Sequence, residues 1–328
     1  MMALRAGLLG VGMMGRHHAR VLREVDGVDL VAIADPSGDP HGVAGGLPVH
    51  TDIDALIDAG IDIAVVAVPT RFHEDAALKL ASAGVHTLVE KPIAHSLEAG
   101  ERMVDAFASA GLVGAVGHIE RFNPALQELR RRLEAGELGA VYQVTTRRQG
   151  PFPSRIADVG VAKDLASHDV DLSAWVVQSD YARVFAQAAF KSGREHEDMI
   201  TITGRTASGV IVNNIVNWLS PMKERVTVVT GEKGAFVADT STGDLTFFAN
   251  GTIPMQWASM TNFRGVSEGD VTRYAFAKRE PLLVEHEAFR DAVLGVPSDV
   301  VTMAEGLRTL RVVEAALDSS RSGESVAL

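Results

Sequence analysis

Three glycines near the start of the chain have a spacing that suits phosphate binding. Residues 10–15 form a GxGxxG motif that follows an apolar run and opens a helix-like stretch. In such a turn the first glycine permits the tight bend, the second lets the backbone approach a pyrophosphate, and the third permits close packing of helix and strand. The helix N-terminus adds free N–H groups and a partial positive charge. The predicted dinucleotide contacts are Gly10, Gly12, Met13, Met14 and Gly15.

A carboxylate stands where the ribose of such a dinucleotide would bind. Asp35 closes the second apolar run, twenty residues after Gly15. At this place a carboxylate holds the adenosine ribose hydroxyls and repels a 2′-phosphate. Because no arginine occurs in the five residues after Asp35, the sequence favours NAD over NADP.

A lysine follows a later apolar run and could act on a bound ligand. Lys91 lies in the sequence Glu90-Lys91-Pro92, at the predicted carboxyl edge of the sheet, where ligands of such folds bind. An ammonium group there could polarise an oxygen or exchange a proton with it. Taken by itself, a lysine before a proline is more often an ordinary loop residue.

A carboxylate and an imidazole share one face of a predicted helix. Asp164 and His168 are four residues apart within the helical pattern of residues 161–177. A carboxylate near an imidazole orients it and increases its basicity, as a proton shuttle at neutral pH requires. On its own, such a pair is structural more often than catalytic.

The elements that must position these residues change character after residue 118. Before it, short uninterrupted apolar runs alternate with helical patterns, which predicts a parallel sheet covered on both faces. We therefore assign residues 1–118 to a Rossmann-type, doubly wound α/β domain that binds NAD. The predicted strands are 5–10, 30–34, 63–68, 87–89 and 113–117, and the predicted helices are 16–24, 53–59, 74–83 and 97–110.

The second part, residues 119–328, has longer strands joined by close turns. Close turns favour antiparallel neighbours. We predict an α+β domain with an open, mainly antiparallel sheet that binds the substrate and forms oligomer contacts. Its predicted strands are 141–148, 181–190, 198–205, 210–218, 224–230 and 235–239, and its predicted helices are 124–135, 161–177, 283–294 and 304–320.

Composition narrows the classes of protein further. The 328 residues are 46% apolar and 22% charged, with a formal net charge of −11 and no cysteine. The absence of cysteine excludes disulfides, zinc–thiolate sites and thiol nucleophiles, and the acidic balance disfavours nucleic acid as a partner. The longest uncharged stretch, residues 245–263, contains polar side chains and a proline, so we predict no membrane span. The expected location is the cytoplasm.

Taken in order along the chain, these motifs resemble the Gfo/Idh/MocA oxidoreductase family, and the resemblance extends through nearly the whole sequence. It is borne by the glycine motif, by Val68-Pro69-Thr70 with His73, by Glu90-Lys91-Pro92, and by the Asp164 and His168 pair. The resemblance implies a catalytic set that also contacts substrate, formed by Lys91, Asp164 and His168. It implies further cofactor contacts on the nicotinamide side at Pro69, Thr70, His73, Glu90 and Lys91.

The resemblance also suggests a substrate class. Members of the family mostly oxidise or reduce sugars, inositols and nucleotide sugars at a ring carbon, and their C-terminal sheet commonly forms oligomer interfaces, which implies a homodimer or homotetramer. Residues 117–124 look most like the branch that acts on the 3-hydroxyl of UDP-N-acetylglucosamine-type sugars, and inositol and free-sugar enzymes have related versions. Arg121 and Asn123 in this stretch either contact substrate or cofactor, or form a turn that caps the following helix.

The leading hypothesis is therefore an NAD-dependent dehydrogenase acting on a CH–OH group, without a metal. His168 would take the hydroxyl proton, Asp164 would orient it, and Lys91 would polarise the oxygen, although Lys91 and His168 could exchange these roles. One alternative is a family member that retains NAD for a redox-neutral elimination or glycoside cleavage. Another is a non-catalytic NAD-binding sensor.

Overall fold

The computed structural model describes residues 3–153, 159–251 and 267–328. The strands along this described chain are β1 (Leu4–Leu9), β2 (Val28–Ala34), β3 (Val49–His50), β4 (Ile63–Val66), β5 (His86–Glu90), β6 (Gly114–Gly117), β7 (Val141–Pro151), β8 (Tyr181–Ala189), β9 (Met199–Thr206), β10 (Ile211–Asn217), β11 (Leu219–Gly231), β12 (Gly234–Asp239), β13 (Asp244–Gly251), β14 (Ser267–Arg273) and β15 (Val326–Ala327). The helices are α1 (Met13–Leu22), α2 (Ile53–Asp58), α3 (His73–Ser82), α4 (Leu97–Ala110), α5 (Pro124–Glu134), α6 (Ser167–Val177), α7 (Pro281–Val293) and α8 (Met303–Ser322).

Two compact units are formed by these elements. The first comprises Met1–Ile119 and Glu280–Arg311, and the second comprises Glu120–Arg279 and Val312–Leu328. The prediction placed everything after residue 118 in one domain, whereas the segment that contains α7 returns to the first unit. Its apolar residues Leu282 and Phe289 are buried in a core of that unit. An amphipathic pattern shows that a helix buries one face, but it does not show which core receives that face.

The first unit contains the predicted doubly wound sheet. Its strands are all parallel and follow the order β3-β2-β1-β4-β5-β6. Every residue of β4 is buried, as expected for a strand covered on both faces. Separate apolar clusters lie on the two faces, one including Leu80 and Met103 and the other including Leu22 and Phe289.

The second unit contains the predicted open sheet, in the order β14-β13-β12-β11-β7-β10-β9-β8-β15. The pairing of β10 with β7 is parallel, and the other pairings in this sheet are antiparallel. Buried residues of α5, α6 and the end of α8, such as Leu126, Val170 and Val313, share one core with the sheet. The α+β class predicted for this region is confirmed.

The prediction missed four strands. Two of them, β3 and β15, have only two residues each and show no periodicity. The other two, β13 and β14, pair antiparallel at the far edge of the second sheet, where the hydrophobic alternation is weak. Within the described ranges, no helix is long and apolar enough to cross a membrane. The uncharged stretch 245–263 lies partly outside the described residues.

Candidate functional site

The glycine turn between β1 and α1 is shaped by two close backbone contacts. Gly10 has a φ of 94°, and a Cβ there would lie 2.6 Å from the carbonyl oxygen of Ala67. A Cβ on Gly15 would lie 2.0 Å from the carbonyl oxygen of Gly10. By contrast, a Cβ on Gly12 would meet nothing within 4 Å. Packing therefore requires glycine at Gly10 and Gly15, whereas Gly12 leaves open space above the turn.

That open space lies at the N-terminus of α1. Gly12 is the N-cap residue, and no side chain among the described residues caps the helix there. The first N–H groups of a helix lack partners within the helix and concentrate partial positive charge. Met13 and Met14 supply two of these N–H groups. Open space and uncapped donors together fit the pyrophosphate of a dinucleotide.

Asp35 is tied to the same turn. Its Oδ2 accepts the N–H of Val11 at 2.9 Å, and its Oδ1 accepts the N–H of Ser37 at 2.8 Å. A carboxylate has about four acceptor positions, so each oxygen can also receive a ribose hydroxyl. The side chain is half-buried at the end of β2. The structure thus adds a bracing function that sequence spacing did not indicate.

The segment after β4 presents a 3₁₀ turn, Thr70–Phe72. Pro69 is exposed and Thr70 is half-buried at its start, so both are accessible. His73 is buried, and its ring nitrogens lie 2.9 Å from the carbonyl oxygen of Val68 and 3.0 Å from that of Pro92. Burial lowers the pKa of His73, and a neutral imidazole has a single N–H, so His73 can donate to only one of these two carbonyl oxygens. Both ring nitrogens thus face the protein's own backbone, and a cofactor contact at His73 stays a prediction.

At the end of β5, Glu90 is buried and Lys91 is half-buried. Glu90 Oε2 accepts the backbone N–H of Lys91 at 3.1 Å, and Glu90 Oε1 lies 2.8 Å from Nε2 of His18. Burial by itself raises the pKa of Glu90, but the hydrogen bond and charge of His18, with the charge of Lys91, hold that pKa below its usual range. The Lys91–Pro92 peptide bond is cis. Through this hydrogen bond, Glu90 therefore holds the backbone of Lys91.

In the second unit, Asp164 and His168 lie across a change of helix type. Residues Ala162–Ala166 form a π-helical turn that leads directly into α6. Asp164 is buried in the π turn, and His168 is half-buried in the first turn of α6. Single π turns within α-helices occur frequently at functional sites. The prediction of one regular helix over residues 161–177 missed this turn.

Glu197 anchors the start of this helix. Its backbone oxygen accepts the N–H of Val161 at 3.0 Å, and its Oε1 accepts the N–H of Ala162 at 2.9 Å. Both contacts satisfy amides that a helix start leaves without an internal partner. They fix the helix immediately before Asp164.

Two buried arginines form ion pairs with carboxylates of α6 just after His168. Arg121 forms a two-point ion pair with Asp171, with contacts of 2.8 and 2.7 Å. Arg148 bonds to Asp169 at 2.8 Å and to Glu120 at 2.7 Å. Although burial lowers the pKa of Arg148, the two carboxylates raise it above its usual range. Charged pairs thus alternate with apolar residues on this helix, and they hold His168 in place.

Asn123, which the sequence also offered as a ligand contact, caps α5. Its Oδ1 accepts the N–H of Ala125 at 3.0 Å, and its Nδ2 donates to the carbonyl oxygen of Thr240 at 3.0 Å. Asn123 thus caps α5, as the alternative interpretation of this stretch expected, and Arg121 pairs with Asp171. A substrate or cofactor contact by either residue stays a prediction. Arg148 and Asp169 were missed by sequence analysis, although charges inside the apolar pattern of α6 were a usable signal.

No group of three or more histidine, aspartate or glutamate side chains in the described part of the chain could hold a metal ion.

Comparison with known proteins extends over both units. A model of the Gfo/Idh/MocA type, described as oxidoreductase family, NAD-binding Rossmann fold, matches residues 4–118. A second model, described as the GFO/IDH/MocA C-terminal domain, matches residues 126–237. The two matches follow one another along the chain and together span most of it.

Curated relatives include two inositol enzymes. The scyllo-inositol 2-dehydrogenase (NAD(+)) of Bacillus subtilis (strain 168) is 26% identical over 99% of this chain and 96% of its own length. Inositol 2-dehydrogenase 4 of Saccharopolyspora erythraea is 34% identical over 64% of this chain and 65% of its own length.

A nucleotide-sugar enzyme is similar over the whole chain as well. The UDP-N-acetylglucosamine 3-dehydrogenase of Acidithiobacillus ferrooxidans is 28% identical over 97% of this chain and 96% of its own length. Its solved structure matches with a TM-score of 0.84 at 25% identity, covering 98% of this chain and 99% of that one.

Proposed function

The chain belongs to the Gfo/Idh/MocA oxidoreductase family, and from this premise we propose that it is an NAD-dependent dehydrogenase acting on CH–OH groups. It would move a hydride between the nicotinamide and a ring-carbon hydroxyl of a sugar, nucleotide sugar or inositol. The observation that carries the proposal is the open, uncapped start of α1 at Gly12, with the Asp35 carboxylate tied to the same turn. Relatives named as inositol and UDP-N-acetylglucosamine dehydrogenases support the substrate class.

The residues that would hold NAD are those of the glycine turn and its neighbours. The N–H groups of Met13 and Met14 would bind the pyrophosphate, Asp35 the ribose hydroxyls, and Pro69 and Thr70 the nicotinamide side. When bound, NAD supplies the acceptor for the hydride. In place of direct cofactor contact, we propose that His73 and Glu90 hold the loops that present these groups.

Three side chains would act on the substrate. We propose that Lys91 polarises the hydroxyl oxygen, that His168 takes its proton, and that Asp164 orients the imidazole. Lys91 lies in the first compact unit, whereas Asp164 and His168 lie in the second, so their assignment to one reaction rests on the family. The roles of Lys91 and His168 can be exchanged, so their variants are compared below. For Arg121 and Asn123 we propose that they brace α6 and α5, rather than contact the substrate.

A substrate panel tests this function. Purified protein is mixed with NAD or NADP and with UDP-N-acetylglucosamine, other nucleotide sugars, free sugars and inositols, and nicotinamide absorbance is followed. We expect reduction of NAD with one substrate class. Substrate consumed without net reduction would support a redox-neutral reaction instead. NAD binding with no turnover of any compound would support a sensor.

Two glycine variants separate cofactor binding from folding. Gly12→Ala adds a methyl group to open space at an ordinary φ of −66°, so stability is expected to be unchanged. The methyl group would occupy the pyrophosphate position, and we expect NAD to bind at least about tenfold more weakly, a loss of about 1.4 kcal/mol. In Gly15→Ala the turn itself must shift, with an expected loss of about 1–3 kcal/mol of stability. Calorimetric titration and thermal unfolding measure both; unchanged NAD affinity in Gly12→Ala would contradict this site.

Asp35 should determine the preference for NAD. Asp35→Asn keeps an acceptor for the Val11 N–H but removes the charge that repels a 2′-phosphate. Hydrogen bonds to charged groups contribute about 1.5–3 kcal/mol. We therefore expect the ratio of kcat/KM for NAD over NADP to fall by about 10- to 100-fold. Asp39→Asn is the control, because Asp39 also accepts backbone N–H bonds, from Val43 and Ala44, in the neighbouring loop. An equal change in both variants would exclude specific recognition by Asp35.

The oligomeric state of the protein and its location in the cell stay predictions. One face of the second sheet exposes Phe185 of β8 and Ile211 and Ile215 of β10, the two strands that flank β9. We propose that this face forms a homodimer or homotetramer interface, and light scattering after size exclusion measures it. A cytoplasmic location, and no nucleic acid or membrane partner, are expected as before.

A further inference from the structure

A chain of buried polar groups lies behind Lys91 in the first unit. His18 of α1 is 0% exposed, His286 of α7 is 2% exposed, and Glu90 of β5 is 8% exposed. His286 Nε2 lies 2.8 Å from His18 Nδ1, and His18 Nε2 lies 2.8 Å from Glu90 Oε1. The other oxygen of Glu90 accepts the backbone N–H of Lys91. Hydrogen bonds thus connect α7, α1 and the turn after β5.

The direction of these bonds follows from the carboxylate. Ionised Glu90 can only accept, so Nε2 of His18 must donate to it whether His18 is neutral or protonated. Burial and the charge of His18 hold the pKa of His286 well below its usual value, so His286 is neutral near pH 7. Neutral His286 pairs with Nδ1 of His18 in either state. The chain is therefore fully satisfied, and it ends on the backbone of Lys91.

A fourth buried polar group, Glu285, adds to the free energy that burying this cluster costs. Glu285 is 2% exposed, and neither of its carboxyl oxygens has a hydrogen-bond partner among the described residues. Burial and the charge of Glu90 raise the pKa of Glu285 well above its usual value, which favours its neutral acid form. Apolar side chains of similar size would stabilise a fold better than such groups. Packing alone therefore does not account for the cluster.

We propose that His18 and His286 are positioning residues for Lys91. His286 holds the ring of His18, His18 donates to Glu90, and Glu90 fixes the turn from which the ammonium group of Lys91 acts. On the other side of the lysine, Nδ1 of buried His73 lies 3.0 Å from the carbonyl oxygen of Pro92. Buried imidazoles thus lie against both neighbours of Lys91. This inference rests on the proposed function, in which Lys91 polarises the substrate oxygen.

Loss of the His18 donor should be visible in the pH dependence of the reaction. Without that bond, fewer interactions would oppose the effect of burial on Glu90. The pKa of Glu90 would therefore rise, and Glu90 would take up a proton at higher pH. The acidic limb of the kcat profile would then move to higher pH. The titratable groups facing Glu90 are His18, Lys91, His73 and Glu285, and His286 contacts His18.

Matched variants of His18 test the proposal. Gln and Met have similar length, but only Gln keeps an N–H near the position of Nε2. We expect His18→Met to lower kcat about 10- to 100-fold, as for a misplaced catalytic group, with its acidic limb at higher pH and unchanged NAD affinity. His18→Gln should restore most of the rate and the wild-type profile. His86→Asn is the control, because His86 starts the same strand, far from Lys91, and Asn keeps its acceptor for the Val113 N–H.

A second measurement does not depend on activity. In ¹⁵N-histidine NMR spectra of the cofactor-free protein, Nε2 of His18 should stay protonated across neutral and alkaline pH, and Glu90→Gln should change its shift. If the wild-type enzyme reduces no NAD with any substrate, the proposed function fails, while these spectra still test the hydrogen-bond chain. Equal kcat profiles for His18→Met and His18→Gln, or an unprotonated Nε2, would overturn the proposal. Should His18→Met not fold, the pair His286→Met and His286→Gln decides by the same criteria.

Discussion

Replacing Lys91 by methionine is expected to lower kcat by about 10²–10⁴-fold, the contribution typical of a positioned acid or base. Methionine keeps an unbranched apolar side chain and removes only the ammonium group. NAD should still bind with little change, since the glycine turn and Asp35 are untouched. Steady-state nicotinamide absorbance gives kcat, and calorimetric titration gives the NAD affinity.

Lys79→Met is the matched control for this variant. Lys79 belongs to α3 of the same unit, is exposed, and pairs with Asp54 at 2.6 Å. Exposed ion pairs contribute about 0–1 kcal/mol, so neither turnover nor stability should change noticeably. If Lys91→Met keeps wild-type kcat, Lys91 has no part in the reaction. His168→Gln tests the imidazole in the same way: if it is the proton acceptor, kcat falls by a comparable factor while NAD still binds.

Breaking the buried pair of Arg121 and Asp171 should cause the largest loss of stability. Removing one partner of a buried ion pair leaves an uncompensated charge and costs about 3–5 kcal/mol. We expect this loss in Arg121→Met and in Asp171→Leu. The double variant, which removes both charges of this pair, should regain most of it. Urea unfolding followed by tryptophan fluorescence measures the three free energies of unfolding.

A pair with the same two-point geometry but an exposed arginine is the control. Its Glu128 side chain is 13% exposed and also accepts a bond from Arg132, so removing Arg131 leaves no uncompensated charge. Arg131 contacts Glu128 at 2.8 and 2.7 Å, as Arg121 contacts Asp171, but the Arg131 side chain is 61% exposed and that of Arg121 is 8% exposed. Arg131→Met should therefore cost about 1 kcal/mol or less. Similar losses for Arg121→Met and Arg131→Met would mean that burial of the first pair has no energetic consequence.

The double variant also distinguishes two functions for Arg121. If the guanidinium binds substrate, KM stays high in the double variant even though stability returns. If Arg121 braces α6, as its contacts with Asp171 suggest, KM returns with stability. The two outcomes cannot be confused, because the first depends on the arginine and the second on the absence of an unpaired charge.

The local chemistry of the candidate site could be predicted from the sequence alone. The turn of Gly10 and Gly15, the carboxylate of Asp35 at the end of β2, and the parallel sheet itself depend on residues close in sequence and on periodicity. Those features determined the dinucleotide fold, and the ordered motifs determined the family. The same motifs also predicted the reacting residues, which are Lys91, Asp164 and His168.

Contacts between segments that are far apart in the sequence could not be predicted from it. His18 and His286 are 268 positions apart, and Arg121 and Asp171 are 50 apart; no periodicity connects such residues. The sequence by itself therefore determined which backbone turns and which chemical groups this protein has. Tertiary structure alone decided that α7 returns to the first unit, that a π turn carries Asp164, and that buried imidazoles support Glu90, because the hydrophobic effect specifies that a face is buried but not its partner.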